Sequence, residues 1–374
     1  MRDLDEIRKD INAVDDQILA LFEQRMDLSC EVAAYKRANH LPVYDAAREA
    51  KNLDKFEQKA KNPAYAKWAR CLIQELMRYS KELQRQSVSE PYDIASKKQT
   101  GEVHIAYQGS EGSYGEEASL SYFGTDNTKF CPVATFADVF SQVADGIVDF
   151  GVVPLENSST GAIGDCYDLL RSYDCQICGE YILPITHNLL AIPGARLSDI
   201  REVYSHTQGF EQCSTFLKDY PELNLIPYHN TAVSARHIAE LHSPQKAAIA
   251  SSRAAELYGL SILKPHINNS DHNFTRFVVM SKERIVADGA DKISITFGLP
   301  HEKGRLCTVM AHFSEYPVNL LKIESRPIPD KNWEYSFYLD FEGNIHDDKI
   351  CRLLEKVDQD TIGFRLLGNY RAAR

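Results

Sequence analysis

The sequence predicts a multidomain protein with an all-α N-terminal domain, an α/β central domain and an α+β C-terminal domain. The chain has 374 residues, which is more than one typical hydrophobic core covers. Residues 3–39 contain no glycine or proline and repeat apolar side chains every three or four positions, which indicates a long helix. From Val103 the pattern changes to alternating strands and helices, and after Lys282 the elements become shorter.

The amino-acid composition limits which binding partners and which cellular compartment we expect. A net charge of −11 argues against nucleic acid as a partner but leaves a small anionic substrate open. No apolar run approaches the roughly 18 residues that span a bilayer. The first residues show no apolar signal region. We therefore expect a cytoplasmic protein without a membrane partner.

Cysteine and histidine usage gives no sign of a metal site. Nine cysteines, an odd number, fit reduced thiols better than a disulfide framework. Cys175 and Cys178 have metal or redox spacing, but no second pair accompanies them, so we expect structural cysteines. The 12 histidines are scattered and no H-E-x-x-H motif occurs, so we predict no metal and no organic cofactor.

Three cations lie within the apolar stripe of the N-terminal helix, which should end near Asn39. These are Arg8, Arg25 and Lys36. Because an unpaired buried charge is costly, cations usually avoid an apolar face. Either the three side chains form a pocket for anions, or they snorkel at the rim of a helical bundle.

Two shorter helices are predicted to follow. One begins near Asp45, and the other covers about residues 64–84 and places Ser80 and Gln84 on its apolar side. A helix of more than 30 residues cannot bury its face against two shorter companions. We therefore infer an intertwined homodimer of all-α domains.

These helices, at roughly residues 3–86 of a predicted domain 1–90, resemble the chorismate mutase domain of the all-α class. The resemblance implies that arginines clamp the two carboxylates of chorismate in the reactive conformer. It also implies that Lys36 and Gln84 donate to the breaking ether oxygen and that Glu49 holds a hydroxyl. The residues it places in the site are Arg8, Arg25, Lys36, Asp45, Arg48, Glu49, Ser80 and Gln84.

Residues 91–102 are polar and aperiodic and form a predicted linker. The strand Val103–Gln108 then leads into the glycine-rich turn 109–115, which is neither a dinucleotide fingerprint nor a P-loop. This turn either holds a carboxylate at a helix N-terminus or is simply tight. A second strand, Val148–Val153, is expected to end before the polar stretch 154–161, where α/β proteins often place ligand contacts.

Polar segments follow three further strand patterns, after Tyr204, Tyr228 and Ala250. For Thr231 and Ser251 an N-cap role is the favoured interpretation. Ser205 and His206 do not indicate a hydrolase, because adjacent residues on an extended segment point apart and no G-x-S-x-G motif occurs.

The pair Thr275-Arg276 opens the last strand pattern of this domain. Taken alone, the pair could be a turn cap and a solvated edge charge. Together with the preceding loops, however, it resembles prephenate dehydratase over residues 103–283. The motifs, in the order of that family, are Gly112-Ser-Tyr, Val153-Pro-Leu-Glu-Asn-Ser, Ser205-His-x-Gln, Gln212-Cys213 and Asn273-x-Thr-Arg-Phe277.

This second resemblance implies two α/β lobes hinged around a cleft, as in periplasmic binding proteins. Thr275 would be the general acid for the departing 4-hydroxyl of prephenate, and Arg276 would bind the pyruvyl carboxylate. Asn157, Ser205 and Gln212 would orient the ring.

The pattern after Lys282 is βαββαβ, which predicts a ferredoxin-like fold over residues 290–374. Two stretches, Gly304-Arg305-Leu306 and Glu324-Ser325-Arg326-Pro327, resemble the ACT regulatory domain. This resemblance implies phenylalanine binding at a dimer interface and allosteric inhibition. The family usually has alanine where this chain has Arg305. A dimerisation module without a ligand is the alternative. The residues concerned are Gly304, Leu306, Glu324, Ser325, Arg326 and Pro327.

Together the three resemblances predict an enzyme that converts chorismate through prephenate to phenylpyruvate, acts as a homodimer or higher homo-oligomer, and responds to phenylalanine. Two other interpretations stay open at this point. The α/β lobes could form a non-catalytic anion sensor, and the helical segment could be only a dimerisation arm.

Overall fold

The computed structural model describes residues 2–38, 55, 59, 61–86, 102–328 and 333–373. The chain divides into two compact units, Met1–Asp93 and Ile94–Arg374. Among the helices of the described ranges, none combines the length and the apolar character that crossing a bilayer requires.

The first unit contains two long helices, α1 (Leu4–Ala38) and α2 (Ala66–Gln86). The predicted first and third helices are thereby confirmed. A 3₁₀ turn at Pro63–Tyr65 precedes α2, and Asn62 caps it by accepting a hydrogen bond from the Ala64 amide. The helix predicted to begin near Asp45 lies outside the described residues.

Much of the apolar stripe of α1 is uncovered within this unit. The side chain of Met26 is buried, but Leu4, Ile18 and Leu21 are 57%, 53% and 65% exposed. Apolar side chains at helical spacing normally pack against another element. The stripe therefore offers a long apolar surface.

The second unit begins with a sheet in the strand order β2-β1-β3-β11-β5, in which a short β4 also pairs with β3. Both faces are covered because alternate residues of β1, Ile105 and Ala106, belong to different buried clusters. The strands are β1 (Val103–Gln108), β2 (Thr128–Val133), β3 (Phe150–Asn157), β4 (Gly161–Ala162), β5 (Gln176–Pro184) and β11 (Phe274–Ser281). The covering helices are α3 (Tyr114–Phe123), α4 (Phe136–Ala144) and α5 (Gly164–Ser172).

A second sheet has the order β10-β6-β9-β7-β8. The chain passes from the first sheet to the second after Pro184 and returns before Phe274. Two chain segments therefore connect the two α/β lobes. The strands are β6 (Asn188–Ala191), β7 (Glu202–Ser205), β8 (Asn224–Pro227), β9 (Lys246–Ala250) and β10 (Ser261–Lys264). The helices are α6 (Thr207–Gln212), α7 (Ser214–Lys218), α8 (Thr231–Leu241) and α9 (Ser252–Tyr258), with a 3₁₀ turn at Leu197–Asp199.

The C-terminal part forms an antiparallel sheet of order β13-β14-β12-β15 with the predicted element order βαββαβ. One face packs against the first lobe, where Tyr338 and Tyr370 join its buried cluster and the Tyr338 hydroxyl donates to the Tyr167 carbonyl at 2.6 Å. The elements are β12 (Lys292–Gly298), α10 (Arg305–Ser314), β13 (Leu320–Pro327), β14 (Tyr335–Glu342), α11 (Asp348–Asp360) and β15 (Ile362–Tyr370).

The sequence pattern predicts that β3 ends at Val153, but the strand continues to Asn157. The reason is its partner β11, which pairs Thr275 with Asn157 and Arg276 with Glu156. Pro154 lacks an amide donor, and the register shifts between Arg276 and Phe277, next to that proline. The polar residues expected in a loop are therefore partly held in the sheet.

Candidate active site

A cleft of about 500 Å³ lies between the two lobes of the second unit. That volume is within the range of small-molecule sites. The first lobe lines it with β3, β11 and the start of α3, and the second lobe lines it with the starts of α6 and α8. Strand β5 leads into it through Ile185 and His187.

Thr275 and Asn157 meet at the floor of this cleft, as the sequence predicts. Thr275 is 7% exposed, and its Oγ1 accepts a hydrogen bond of 2.9 Å from Asn157 Nδ2. Asn157 Oδ1 accepts from the amides of Ser159 and Thr160, which fixes the orientation of the side-chain amide. Within the described residues Thr275 has no acceptor for its own hydroxyl proton. The proton is therefore available to a molecule in the cleft.

Gln212 also lines the cleft, and it is held by a residue that sequence reasoning missed. Its Oε1 lies 2.7 Å from His187 Nε2, and His187 Nδ1 lies 3.0 Å from the Tyr114 hydroxyl. Burial lowers the pKa of His187 and raises that of Tyr114, so both are neutral near pH 7. His187 stands between the end of β5 at Pro184 and the start of β6 at Asn188, so neither a polar loop nor a helix start marks it in the sequence.

Ser205 does not line the cleft, contrary to the prediction that it orients the substrate ring. It is fully buried at the end of β7, and its Oγ donates to the Ile249 carbonyl at 3.1 Å. Gly209 covers it, because a Cβ added at Gly209 would lie 2.6 Å from Ser205 Oγ. The neighbouring His206 lines the cleft instead.

Arg276 points away from the cleft, which corrects the prediction that it binds the pyruvyl carboxylate. Adjacent residues of a strand face opposite sides, and Thr275 occupies the cleft side. Arg276 Nη1 lies 2.6 Å from Asp340 Oδ2, and Nε donates to Glu180 Oε2 at 2.7 Å. Burial would lower the pKa of Arg276, but the facing carboxylates of Asp340 and Glu180 outweigh it and raise the pKa above its ordinary value.

No Asp, Glu, Lys or Arg is found among the described residues that line the cleft. Positive potential comes instead from the N-termini of α3 and α8, capped by Ser113 and Asn230. First-turn amides and the helix dipole favour an anion at such positions. This arrangement supports the carboxylate-holding interpretation of the turn 109–115.

In the first unit the structure brings two of the predicted chorismate ligands together. Arg25 contacts Ser80 Oγ and donates to the Leu76 carbonyl at 2.6 Å, and burial lowers its pKa. Arg8 is exposed and lies 3.4 Å from Asp5. The remaining predicted ligands lie outside what the structure describes: the whole residues Asp45, Arg48 and Glu49, and the side chains of Lys36 and Gln84.

The two predicted regulatory stretches lie on α10 and β13. Gly304 has φ +80° and precedes α10, where Leu306 is partly exposed. Glu324 to Pro327 end β13, and Arg326 Nη2 donates to Asp168 of the first lobe at 2.8 Å. No hydrogen bond or ion pair joins the two stretches within the residues described here. Arg305 Nη2 donates to the Asp360 carbonyl at 3.2 Å.

Cys175 and Cys178, which have metal spacing in the sequence, are not part of a larger group of potential ligands in the part of the chain that the structure covers. No group of three or more His, Cys, Asp or Glu side chains there is arranged to hold a metal ion. Cys175 and Cys178 are buried free thiols, and burial raises the pKa of Cys175 to about 11 and that of Cys178 to about 12.

Comparison with known families gives two matches along the chain. A model described as chorismate mutase type II matches residues 7–85. A model described as prephenate dehydratase matches residues 105–285.

Similar proteins and structures agree with these matches. The chain is 32% identical to a bifunctional chorismate mutase/prephenate dehydratase of Aquifex aeolicus, over 100% of this chain and 99% of that protein. It is 34% identical to the Escherichia coli K12 protein of the same name, over 97% and 95%. A prephenate dehydratase from Arthrobacter aurescens, solved in complex with L-Phe, matches with 29% identity and a TM-score of 0.68. That match covers 72% of this chain and 90% of the Arthrobacter chain.

Proposed function

The chain belongs to the bifunctional chorismate mutase and prephenate dehydratase family, and from that premise we propose how its residues perform the two reactions. The enzyme rearranges chorismate to prephenate. It then converts prephenate to phenylpyruvate, water and CO2 in phenylalanine biosynthesis, under feedback inhibition by phenylalanine.

In the dehydratase site Thr275 is the general acid. The observation that carries this assignment is the Asn157 hydrogen bond, which uses an oxygen lone pair of Thr275 and leaves its proton free. That proton goes to the 4-hydroxyl of prephenate, which leaves as water. The bond between the ring and its carboxylate breaks, CO2 leaves, and the bonding electrons complete the aromatic ring as the C4–O bond breaks. Thr275 then regains its proton from water in the open cleft. A general acid in this position typically contributes 10²- to 10⁴-fold.

The neutral lining of the cleft assists the loss of CO2. Decarboxylation disperses the carboxylate charge, so a site without a facing cation does not stabilise the ground state. The pyruvyl carboxylate keeps its charge throughout, and the N-termini of α3 and α8 are placed to hold it. Gln212 and Asn157 orient the ring.

In the mutase site Arg25 and Ser80 form the described part of a larger set that includes Arg8, Lys36, Asp45, Arg48, Glu49 and Gln84. The contact between Arg25 and Ser80 supports this assignment, because it holds the guanidinium of α1 beside α2. Replacing Arg25 by Lys should lower mutase turnover about 100-fold, since a point charge cannot replace a bidentate clamp. Dehydratase turnover of added prephenate in the same sample is the control, and an unchanged mutase rate would contradict the assignment.

The domains we assign are 1–90 for the mutase, 91–102 for a linker, 103–283 for the dehydratase and 290–374 for an ACT domain with a ferredoxin-like fold. The protein acts in the cytoplasm as a homodimer or higher homo-oligomer in which the helical domains intertwine. The exposed apolar stripe of α1 supports the dimer. Light scattering of the purified protein should give at least twice the 42.3 kDa mass of one chain, and a monomer would count against it.

Phenylalanine binds the ACT domain at Gly304, Leu306 and the stretch Glu324, Ser325, Arg326 and Pro327. The βαββαβ order and the packing of this sheet on the first lobe support a regulatory role. Replacing Leu306 by Glu should raise the half-inhibitory phenylalanine concentration about tenfold or more, within the usual range of allosteric coupling. An unchanged inhibition curve would favour a dimerisation module without a ligand.

The overall function is tested by supplying the purified protein with chorismate alone, near neutral pH. Phenylpyruvate should appear without any added cofactor, and phenylalanine should suppress it. Accumulation of prephenate only would contradict the dehydratase assignment, and turnover of neither compound by the folded protein would contradict both.

A further inference from the structure

His187 lies in the cleft, yet the chemistry described above gives it no task. It is 2% exposed, stands at the first crossing between the lobes, and belongs to neither the strand before it nor the strand after it. We propose that His187 is a positioning residue, which turns the Gln212 amide so that its NH2 group faces the substrate. This inference rests on the dehydratase function proposed above.

His187 is held both at its backbone and at its ring. Its backbone amide donates to Asn268 Oδ1 at 2.7 Å, and Asn268 in turn donates to the Ile185 carbonyl at 2.9 Å. The Tyr114 ring packs edge-on against it with the ring centroids 5.7 Å apart. A ring held in this way presents its two nitrogens at fixed points, so they can impose an orientation on a flexible amide.

The charge state of His187 determines how many of its ring nitrogens donate. Burial keeps the pKa of His187 below its ordinary value, so the ring is neutral at pH 7 and has one donor and one acceptor. The titratable groups beside it, Tyr114 and Cys213, are neutral too, because burial raises their pKa values. Because Gln212 Oε1 faces Nε2, the single ring proton is on Nε2, which donates to Gln212 Oε1, and Nδ1 is left as the acceptor. The Tyr114 hydroxyl donates to the Thr186 carbonyl at 2.8 Å, and Nδ1 lies 3.0 Å from the same hydroxyl.

The hydrogen bond from His187 fixes the orientation of the Gln212 side-chain amide. Its oxygen is occupied by His187, and its Nε2 has no hydrogen-bond partner among the described residues. Because Gln212 lines the cleft, that free donor is available to the substrate. Prephenate carries two carboxylates, so a donor attracts it, whereas the amide turned by half a rotation would offer an oxygen that repels it.

Four variants compared with the wild type test this role: His187→Leu, His187→Gln, Gln212→Ala, and the double variant His187→Leu with Gln212→Ala. The quantity measured is kcat and KM for prephenate. A residue that acts only through Gln212 loses its effect once Gln212 is absent. We expect His187→Leu to lower kcat/KM about tenfold in the wild-type background and less than about twofold in the Gln212→Ala background.

His187→Gln provides the rescue, because its amide N–H replaces Nε2–H opposite Gln212 Oε1; it should recover most of the kcat/KM that His187→Leu loses. Mutase turnover measured in the same samples controls for concentration and folding. If His187→Leu loses cooperative unfolding, His187→Asn replaces it, because its shorter amide is polar but does not extend to Gln212.

Two results would overturn the inference. Equal losses from His187→Leu in both backgrounds would show that the residue acts independently of Gln212, and a His187→Gln variant as impaired as His187→Leu would show that the donated hydrogen bond is irrelevant. A wild-type protein without dehydratase turnover would instead refute the proposed function itself, so the two failures are distinguishable.

Discussion

The two faces of strand β11 carry opposite kinds of polar chemistry. On one face Thr275 accepts an uncharged hydrogen bond from Asn157 beside an open cleft. On the other face Arg276 lies among buried charges, covered by the C-terminal sheet. One residue step along the chain therefore separates the proposed reaction site from a structural contact.

The centre of the charged face holds two cations and two carboxylates, and Glu156, 3.9 Å from Arg276 Nη1 and 2.8 Å from Lys322 Nζ, lies at its edge. Arg276 and Glu180 come from the first lobe, and Lys292 and Asp340 come from the C-terminal sheet. Lys292 Nζ lies 2.9 Å from Glu180 and 3.8 Å from Asp340, which completes the contacts that Arg276 makes with both carboxylates. Each part contributes one cation and one carboxylate and is neutral by itself, but across the contact each cation also faces a carboxylate of the other part.

This contrast shows what each face requires. The cleft must accept and release a dianion that loses CO2, so fixed charges are absent from its described lining and neutral donors do the work. The opposite face has only to stay closed, and buried charges are tolerated there because each has a partner.

The largest effect should come from breaking the charged face. Replacing Arg276 by Met leaves Glu180 and Asp340 with Lys292 as the only described cation of the set. Removing one member of a buried ion pair typically costs about 3–5 kcal/mol. Chemical denaturation should report a loss of that size in the free energy of unfolding of this unit. A change below about 1 kcal/mol would mean that the charges are solvated rather than buried.

A smaller effect is expected from changing the neutral face without changing its shape. In Asn157→Asp the Nδ2 donor becomes an acceptor, so Thr275 donates its proton to the new carboxylate rather than to the substrate. We expect kcat of the dehydratase to fall about 10- to 100-fold, with mutase turnover unaffected. Steady-state rates of both reactions on one sample test this, and an unchanged kcat would argue against the free proton of Thr275.

The smallest effect should come from an exposed ion pair at the same contact between the first lobe and the C-terminal sheet. Arg326 and Asp168 are 2.8 Å apart, but their side chains are 30% and 32% exposed. Such pairs contribute less than about 1 kcal/mol, so Asp168→Asn should scarcely change the denaturation midpoint. If it destabilises the protein as much as Arg276→Met, burial does not explain the difference between the two pairs.

Regular elements could be predicted well from the sequence, because local periodicity determines them. The helix predicted over 3–39 is α1 (Leu4–Ala38), and the strand predicted over 103–108 is β1. The element order of the C-terminal part also follows from local patterns. The end of β3 was predicted wrongly. Its pairing with β11 extends it to Asn157, and β11 lies more than 100 residues further along the chain.

The candidate site could be predicted only in part. The resemblance to prephenate dehydratase identified Asn157, Gln212 and Thr275, and all three line one cleft. The prediction that Arg276 lies in the cleft with Thr275 was wrong. Adjacent residues of a strand face opposite sides, and this rule, which was applied to Ser205 and His206, holds equally for Thr275 and Arg276. The prediction for Ser205 was wrong for the same reason, because in the pair Ser205 and His206 it is the serine that is buried. His187 depends on a contact with Gln212, which lies 25 residues further along the chain, and no local pattern encodes that contact.

The most direct test of the central claim is the product that a Thr275→Val variant makes from chorismate near neutral pH. Valine keeps the shape of threonine and removes only the proton donor. We expect prephenate to form at the wild-type rate and accumulate, while phenylpyruvate formation falls about 100-fold or more. Phenylpyruvate appearing at the wild-type rate from this variant would contradict Thr275 as the acid and, with it, the assignment of the neutral face of β11 as the reaction site.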